Sequence, residues 1–386
     1  MTGLDAGTLP PCDVAGRLGR VRAGLARTGG AAATADPEAL LVTALPNIRY
    51  LTGFTGSAGR LLVRADDAVL VTDGRYGDQA TEQLAAAGVA ARVVTRPTAA
   101  TQREALAAEL AGATRLGLDG ANVTWDELRT YREAFAGAEL RSTSGLVERL
   151  RALKDAGEVA RIEAACDIAS AALVDVLALL DDEPTERVFA MELEWSMRRR
   201  GASGPSFESI VAAGPNAAKP HHRAGDTPIR AGDLLVLDYG CIVDGYCSDM
   251  TRTMVVGFSP DSWQAELLEA ATAAQADGVA AVGPGVTGKA VHERCLATLT
   301  DRGLAELFTH GTGHGVGLQI HEAPWLGRAS VDTLQVGNVI TVEPGVYRVG
   351  LGGVRVEDTL LVTPDGCRPL TKTPKDLSCL RSPRTT

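Results

Sequence analysis

The chain has 386 residues, 45% of them hydrophobic and 22% charged, and a formal net charge of −10. That length exceeds the ~250–300 residues at which a single core stops growing, so two domains are expected. The composition is that of a soluble globular protein, and the acidic balance argues against nucleic acid or an anionic membrane as a partner.

Residues 14–27 read as an opening helix that closes at Gly29-Gly30, after a loosely ordered first dozen residues. Ala39–Ala44, Arg60–Val63 and Ala68–Thr72 are short apolar runs bounded by turn formers, the pattern of strands. The stretch LPNIRYLTGFTGSAGR between the first two is too rich in Gly and Ser to be regular, and its Tyr50 and Phe54 make a disordered linker a poor reading. Helix is expected over 78–87, 101–111 and 124–135, and strand over 89–94, 115–118 and 140–142. This alternation predicts an α/β domain over about 145 residues. It contains no histidine.

The charged segment 147–158 (VERLRALKDAGE) marks the boundary. Beyond it come helices over 158–180 and 184–200, then strands over 207–212, 234–239 and 250–256. A second pair of helices, 263–281 and 287–302, precedes strands at 339–342, 345–347 and 353–362, and the tail after Lys375 is expected to be loose. Helix pair, strands, helix pair, strands is an internal repeat, and it predicts two α+β halves with a site between them.

Seven cysteines without a CxxC pair fit a cytoplasmic chain with free thiols. The first residues show no secretory pattern, and no window approaches 18 consecutive apolar residues.

All six histidines lie at or after position 221. Asp238 ends the apolar run LLVLD, and Asp249 follows eleven positions later across an Asp244-Gly245 turn, which suggests paired antiparallel strands aiming both carboxylates at one cation site. His314 sits in the glycine-spaced stretch HGTGHGVGLQIHE, while Glu343 and Glu357 lie in VEPGVY and GGVRVEDT. Each of these five has a bland alternative: a turn cap for Asp238, a strand end for Glu343, a hydrogen-bonding loop residue for His314. Together they are four carboxylates and an imidazole, which need a strong positive counter-charge to share one pocket. Two divalent cations about 3.5–4 Å apart would supply it. Oxygen-rich ligation with one imidazole suits manganese, iron or cobalt better than structural zinc. His222, beside His221, and His292, on a helix face, are assigned structural roles.

The motifs PHHR, LLVLDYG, GYCSDMTRT, HGTGHGVGLQIHE, VEPGVY and GGVRVEDT resemble those of the metallopeptidase family of Xaa-Pro aminopeptidases, prolidases and methionine aminopeptidases. The resemblance covers about 158–370 and implies an α+β pita-bread catalytic domain with duplicated halves over 155–372. The segments NIRYLTGFTGSAG and LVTDGRYGDQA resemble the ribonuclease-H-like α/β domain that precedes the catalytic domain in aminopeptidase P, prolidase and creatinase, here over 1–150. The resemblance implies that Asp238, Asp249, His314, Glu343 and Glu357 bind two divalent ions, manganese first, with cobalt, iron or zinc as alternatives. It implies that His221 hydrogen-bonds the substrate, a one-place shift to His222 remaining open, and that His321 faces the tetrahedral intermediate. His310 and Arg355 become supporting residues, the arginine neutralising ligand carboxylates, and Thr251 is expected to support Asp249.

The mechanism expected is hydrolysis by a hydroxide shared between the two metals, with Glu343 as proton shuttle and His321, with His221, donating to the oxyanion. The resemblance implies a peptide substrate with proline at its second position. Prolidases often carry an arginine soon after the histidine–glutamate pair to hold a dipeptide's carboxylate; here Arg328 falls out of that place, which favours aminopeptidase P over the dipeptidase alternative. Creatinase, which is metal-free, is disfavoured by the complete ligand set. A non-catalytic pita-bread peptide-binding module is the alternative from another class. A homodimer is expected by analogy, and Tyr50, Phe54 and Arg75 are placed either at the mouth of the cleft or under their own loop, Arg75 under its loop.

Overall fold

The computed structural model describes residues 4–25, 36–110 and 112–377. They form two compact units, Cys12–Arg151 and Ala152–Thr386, the latter joined by Met1–Pro11.

The unit Cys12–Arg151 carries helices α1 (Arg17–Leu25), α2 (Leu45–Thr52), α3 (Gly77–Ala86), α4 (Ala99–Glu109), α5 (Trp125–Ala134) and α6 (Leu146–Arg151). Its strands are β1 (Ala39–Val42), β2 (Arg60–Arg64), β3 (Ala68–Thr72), β4 (Arg92–Thr95), β5 (Arg115–Leu118) and β6 (Glu139–Ser142). They form one sheet in the order β4-β3-β2-β1-β5-β6. β1–β2–β3 is antiparallel and the outer pairings are parallel. β1 and β3 are buried at every residue, which is why they read as unbroken apolar runs, whereas edge strands β4 and β6 are partly exposed.

The stretch expected to be irregular begins with α2. Pro46 starts that helix, where its missing N–H costs nothing, Ile48 and Leu51 are fully buried, and Gly53 closes it in the left-handed region (φ 75°). Glycine and serine concentrate beyond Gly53, so averaging over the whole stretch hid a helix. Tyr50 lies buried beneath the Arg17 guanidinium, and Phe54 packs edge-on against Tyr76. Arg75 pairs with Asp73 at 2.8 Å on the surface. The expected close at Gly29-Gly30 lies outside the described residues.

The second unit opens with α7 (Ala156–Val176), entered through a reciprocal Asp155–Glu158 capping box, and α8 (Glu186–Arg199), capped by Thr185. The strands β7 (Gly204–Pro205), β8 (Ile210–Ala213), β9 (Leu234–Tyr239), β10 (Cys241–Val243), β11 (Tyr246–Cys247) and β12 (Met250–Val255) follow. The pattern then repeats with α9 (Ser262–Ala281), α10 (Gly288–Asp301) and strands β13 (Gly313–Gly315), β14 (Glu322–Leu326), β15 (Val339–Val342), β16 (Gly345–Arg348), β17 (Gly352–Arg355), β18 (Asp358–Thr363) and β19 (Gly366–Pro369). The run 353–362, expected as one strand, breaks at Val356-Glu357 into β17 and β18, which belong to different sheets.

Two cores result. Leu173, Phe189 and Leu193 of α7 and α8 pack with Leu235, Leu237 and Tyr239 in the first; Leu267, Ala274 and Val291 of α9 and α10 pack with Leu234, Val236 and Ile340 in the second. β9 therefore feeds alternate residues to each core, as strand pleating requires, and Asp238 continues the row of Leu234 and Val236. That two-sided burial explains its unbroken apolar run.

The first described residues are held, contrary to the loose start expected, while the tail expected to be loose after Lys375 lies, beyond Leu377, outside the described residues. Leu4 N–H donates to the Arg200 carbonyl at 3.0 Å, and the Pro10 carbonyl accepts from Arg161 at 2.7 Å. Leu377 is buried in the first core. Among the described residues, no helix is long and apolar enough to cross a membrane, and Cys166, Cys241, Cys295 and Cys367 are free thiols.

Candidate metal centre

β9 and β12 pair antiparallel with Thr251 opposite Asp238, so Asp238 and Asp249 come from neighbouring strand ends. Glu343 follows β15, and Glu357 sits at the break between β17 and β18. His314 is the middle residue of β13, which lies between β14 and β15. Its neighbours must be glycine: a Cβ on Gly313 would collide with the Thr341 carbonyl, and one on Gly315 with the Ala323 carbonyl. The three-residue strand can squeeze between its partners only because those side chains are missing.

The five residues converge. Donor atoms of Asp249, His314 and Glu357 lie within 4.8 Å of one another. His314 Nε2 is 3.5 Å from Asp249 Oδ2 and 3.6 Å from Glu343 Oε1. These separations are too long for good hydrogen bonds. They match two atoms ligating one ion, since ligands about 2.0–2.2 Å from a centre lie about 3–3.5 Å apart. Asp238, Asp249, His314 and Glu357 are all at most 9% exposed, and Asp238 Oδ1 is buried with no hydrogen-bond partner.

Electrostatics point the same way. Burial, then the charges of Glu357, Asp238 and Glu343, pushes Asp249 well above the usual carboxylate range. Burial and the charges of Glu343 and Asp238 do the same to Glu357. Burial, partly offset by Arg355, pushes Glu343 up to about 7. Burial lowers His314 to about 4, which keeps the imidazole neutral. Its Nδ1 lies 3.0 Å from the Gly315 carbonyl, so Nδ1 donates and the Nε2 lone pair is left for a metal. The Arg355 guanidinium donates to Asp238 Oδ2 at 2.6 Å. Burial opposes its charge, but Tyr347, Asp238 and Glu343 hold it well above its ordinary value. An acid cluster that is protonated or repelled without a cation, with an orphaned carboxylate oxygen, fits divalent metal ions.

The remaining expected residues spread around this centre. Thr251 is not bonded to Asp249 as anticipated; its hydroxyl donates to Glu357 Oε2 at 2.7 Å and accepts from Arg355 Nε at 3.1 Å. His310 is 2.9 Å from the Tyr347 hydroxyl, which in turn accepts from Arg355 at 2.8 Å. Tyr347, the last residue of VEPGVY, thus links His310 to Arg355. His292, expected on a helix face, is buried there, its ring tilted against Phe308, with Nδ1 2.8 Å from the Thr312 hydroxyl. The Thr312 carbonyl accepts from Glu343 N–H at 2.7 Å, so His292 supports a candidate ligand from behind. Asp244, read as a turn residue, also pairs with Arg161 at 2.7 Å.

The carboxylates and His314 line one end of a cleft of about 810 Å³. His221, His222, His321, Trp325 and Phe207 form its walls. The His321 ring meets that of His314 edge-on at 4.3 Å. Two buried carboxylates that the sequence did not single out brace these walls. Glu322 pairs with Lys154 at 2.8 Å, and Glu186 accepts from His222 and three further groups. Glu186 looked like an ordinary acid at a helix start.

A pair of α+β halves enclosing a carboxylate-rich site of this kind defines a metallohydrolase of the pita-bread fold. The chain belongs to metallopeptidase family M24, whose model matches residues 160–364, and carries a creatinase/prolidase N-terminal domain over 25–153. It is 38% identical to an Xaa-Pro dipeptidase of Pyrococcus furiosus over 68% of this chain and 75% of that one. An Xaa-Pro dipeptidase structure from Bacillus anthracis superposes with a TM-score of 0.87 at 36% identity, covering 93% and 98% of the two chains. An X-Pro aminopeptidase structure from Thermotoga maritima gives a TM-score of 0.81 at 30% identity, covering 88% and 97%.

Proposed function

We propose that the chain is a metal-dependent exopeptidase that hydrolyses the bond between an N-terminal residue and a proline in second position. The observation that carries this reading is the convergence of Asp238, Asp249, His314, Glu343 and Glu357 at the end of a cleft walled by two further histidines. These five would hold two divalent cations, manganese being the first candidate. The bound cations would supply an acidified water and a polarised scissile carbonyl.

The chain's own residues do the rest. Glu343 is held near neutrality by burial, the range in which a carboxylate both takes and returns a proton, and it carries the proton from the attacking water to the departing prolyl nitrogen. His321 and His221 donate hydrogen bonds to the oxygen on which charge develops. Arg355 and Thr251 keep Asp238 and Glu357 in place. The acidic end of the cleft suits the substrate's free α-amine, which fixes cleavage to one residue from the N-terminus.

Two substrate lengths compete. A dipeptidase must hold a C-terminal carboxylate inside the cleft. The lining arginines are Arg355, committed to Asp238, and Arg223, whose side chain is 85% exposed and 3.5 Å from Glu208. The fourth residue after His321 is Trp325, half exposed, and it offers an apolar face instead. This favours aminopeptidase P-like cleavage of longer peptides. The names of the Pyrococcus and Bacillus relatives favour the dipeptidase. Assay of the manganese-loaded protein on an Xaa-Pro dipeptide and an Xaa-Pro-Xaa tripeptide decides. Faster tripeptide cleavage is expected, dipeptide cleavage alone makes it a prolidase, and cleavage of neither by metal-loaded protein leaves a non-catalytic module.

A further inference from the structure

The tandem His221-His222 lies on the cleft wall, and the two imidazoles are in different circumstances. His222 Nε2 is 2.8 Å from Glu186 Oε2, and the Glu186 side chain is fully buried. Glu186 accepts three more hydrogen bonds: from Ala213 N–H at 2.9 Å, from Asn216 Nδ2 at 2.9 Å and from Gly225 N–H at 3.1 Å. One carboxylate therefore ties the end of β8, the turn after it, and the His222–Gly225 side of the PHHR loop to the start of α8. Burying a carboxylate is costly unless its acceptor sites are filled, and here they are filled by the loop that carries His221. Pro220, on the other side of His221, gives its carbonyl to Arg355 Nη1 at 3.2 Å.

His221 is exposed to the cleft, and among the described residues no hydrogen bond to its side chain is found. His221, His310 and His321 line the same cleft. The loop is pinned on both sides of His221 while His221 itself is left for a ligand.

We infer that Glu186 and His222 are a positioning pair that holds the PHHR loop so that His221, and not His222, meets the substrate. The inference rests on the peptidase reading above. His222 is spent on Glu186; swapping the roles would take one of its four donors from that buried carboxylate, leaving those of Ala213, Asn216 and Gly225.

The test is a double-mutant cycle in the metal-loaded full-length protein on an Xaa-Pro peptide. Glu186 is too buried for its variants to be trusted to fold, so the cycle uses His222, which lies at the surface of the cleft. His222→Ala is expected to lower kcat/KM by about 10–100-fold, the usual cost of losing such a supporting contact, with metal content and melting temperature close to wild type. His222→Asn keeps a donor for Glu186 and is expected to recover most of that loss. In a His221→Ala background, His222→Ala is expected to cost almost nothing further, because its effect runs through His221. Equal loss in both backgrounds overturns the positioning role, as does a His221→Ala enzyme with wild-type activity. An inactive wild-type protein is a separate result: it removes the peptidase reading, and the inference with it.

Discussion

Glu343 and His314 show how single residues are tuned by their neighbours, and their shifts have opposite consequences for pH. In the metal-free protein Glu343 is raised to about 7 from an ordinary value near 4.5. Its contribution to stability is therefore complete below 4.5 and lost as pH rises through 7. His314, lowered to about 4, contributes fully above about 6.5 and loses that contribution as pH falls towards 4. Metal must displace the protons held by the carboxylates, so affinity should rise with pH up to about 7. Manganese is expected to raise the melting temperature more at pH 8 than at pH 5.5; an equal rise would refute the proton competition. Glu343→Gln is expected to lower kcat by about 10²–10⁴-fold while leaving the metal-free protein at least as stable at pH 8, since it removes one of four crowded charges. Turnover at the wild-type rate in that variant would refute the shuttle. The five residues that converge were legible in the sequence because each sits at an apolar strand end or in a glycine-spaced stretch, where a polar side chain needs a reason. The partner of Thr251 was not, because strand parity gives a face and not a contact.

At the scale of elements, the sequence reported burial better than boundaries. β3, β5, β9 and β15 match the expected spans, since each is a short apolar run closed by turn formers. α2 was hidden by the glycines that follow it, and the break at Glu357 was hidden because GGVRVEDTLLV alternates as one strand would. What separates β17 from β18 is pairing with different partners, a long-range fact. The same holds for Lys154, which lies in a charged stretch yet is buried against Glu322, at the start of β14 and next to His321. Its backbone N–H also donates to the Gly337 carbonyl at 2.9 Å. Lys154→Met would strand a buried carboxylate at a cost of about 3–5 kcal/mol. Thermal unfolding is expected to show a clearly lower midpoint, and turnover should fall as His321 loses its anchor. The paired change Lys154→Met with Glu322→Gln should regain much of the stability; failure to do so would mean that the pair is not what braces this wall.

Across the whole catalytic unit, the internal repeat seen in the sequence corresponds to two cores that share β9, and the centre lies where the halves meet. The last described stretch closes that arrangement. Arg252, 1% exposed, donates to the Thr373 carbonyl at 2.6 Å, to Asp358 at 2.8 Å and to the Glu357 carbonyl. Lys375 pairs with Asp358 at 3.2 Å. A chain ending at Leu370 loses the Thr373 and Pro374 carbonyls that accept from the buried Arg252 guanidinium, and the Lys375 ammonium beside Asp358. Its melting temperature is expected to fall by about 10 °C and its metal affinity with it; unchanged metal binding would show that the strap is dispensable. The position of this strap bears on how the protein is made. A chain emerging N-terminus first exposes Asp238 and Asp249 early, Glu357 late, and the residues that brace Glu357 last of all. During synthesis the N-terminal unit and the first half can fold while the peptidase centre still lacks its final support. Among the described residues, the stretch that steadies Arg252 and Asp358 is thus made after every carboxylate of the centre.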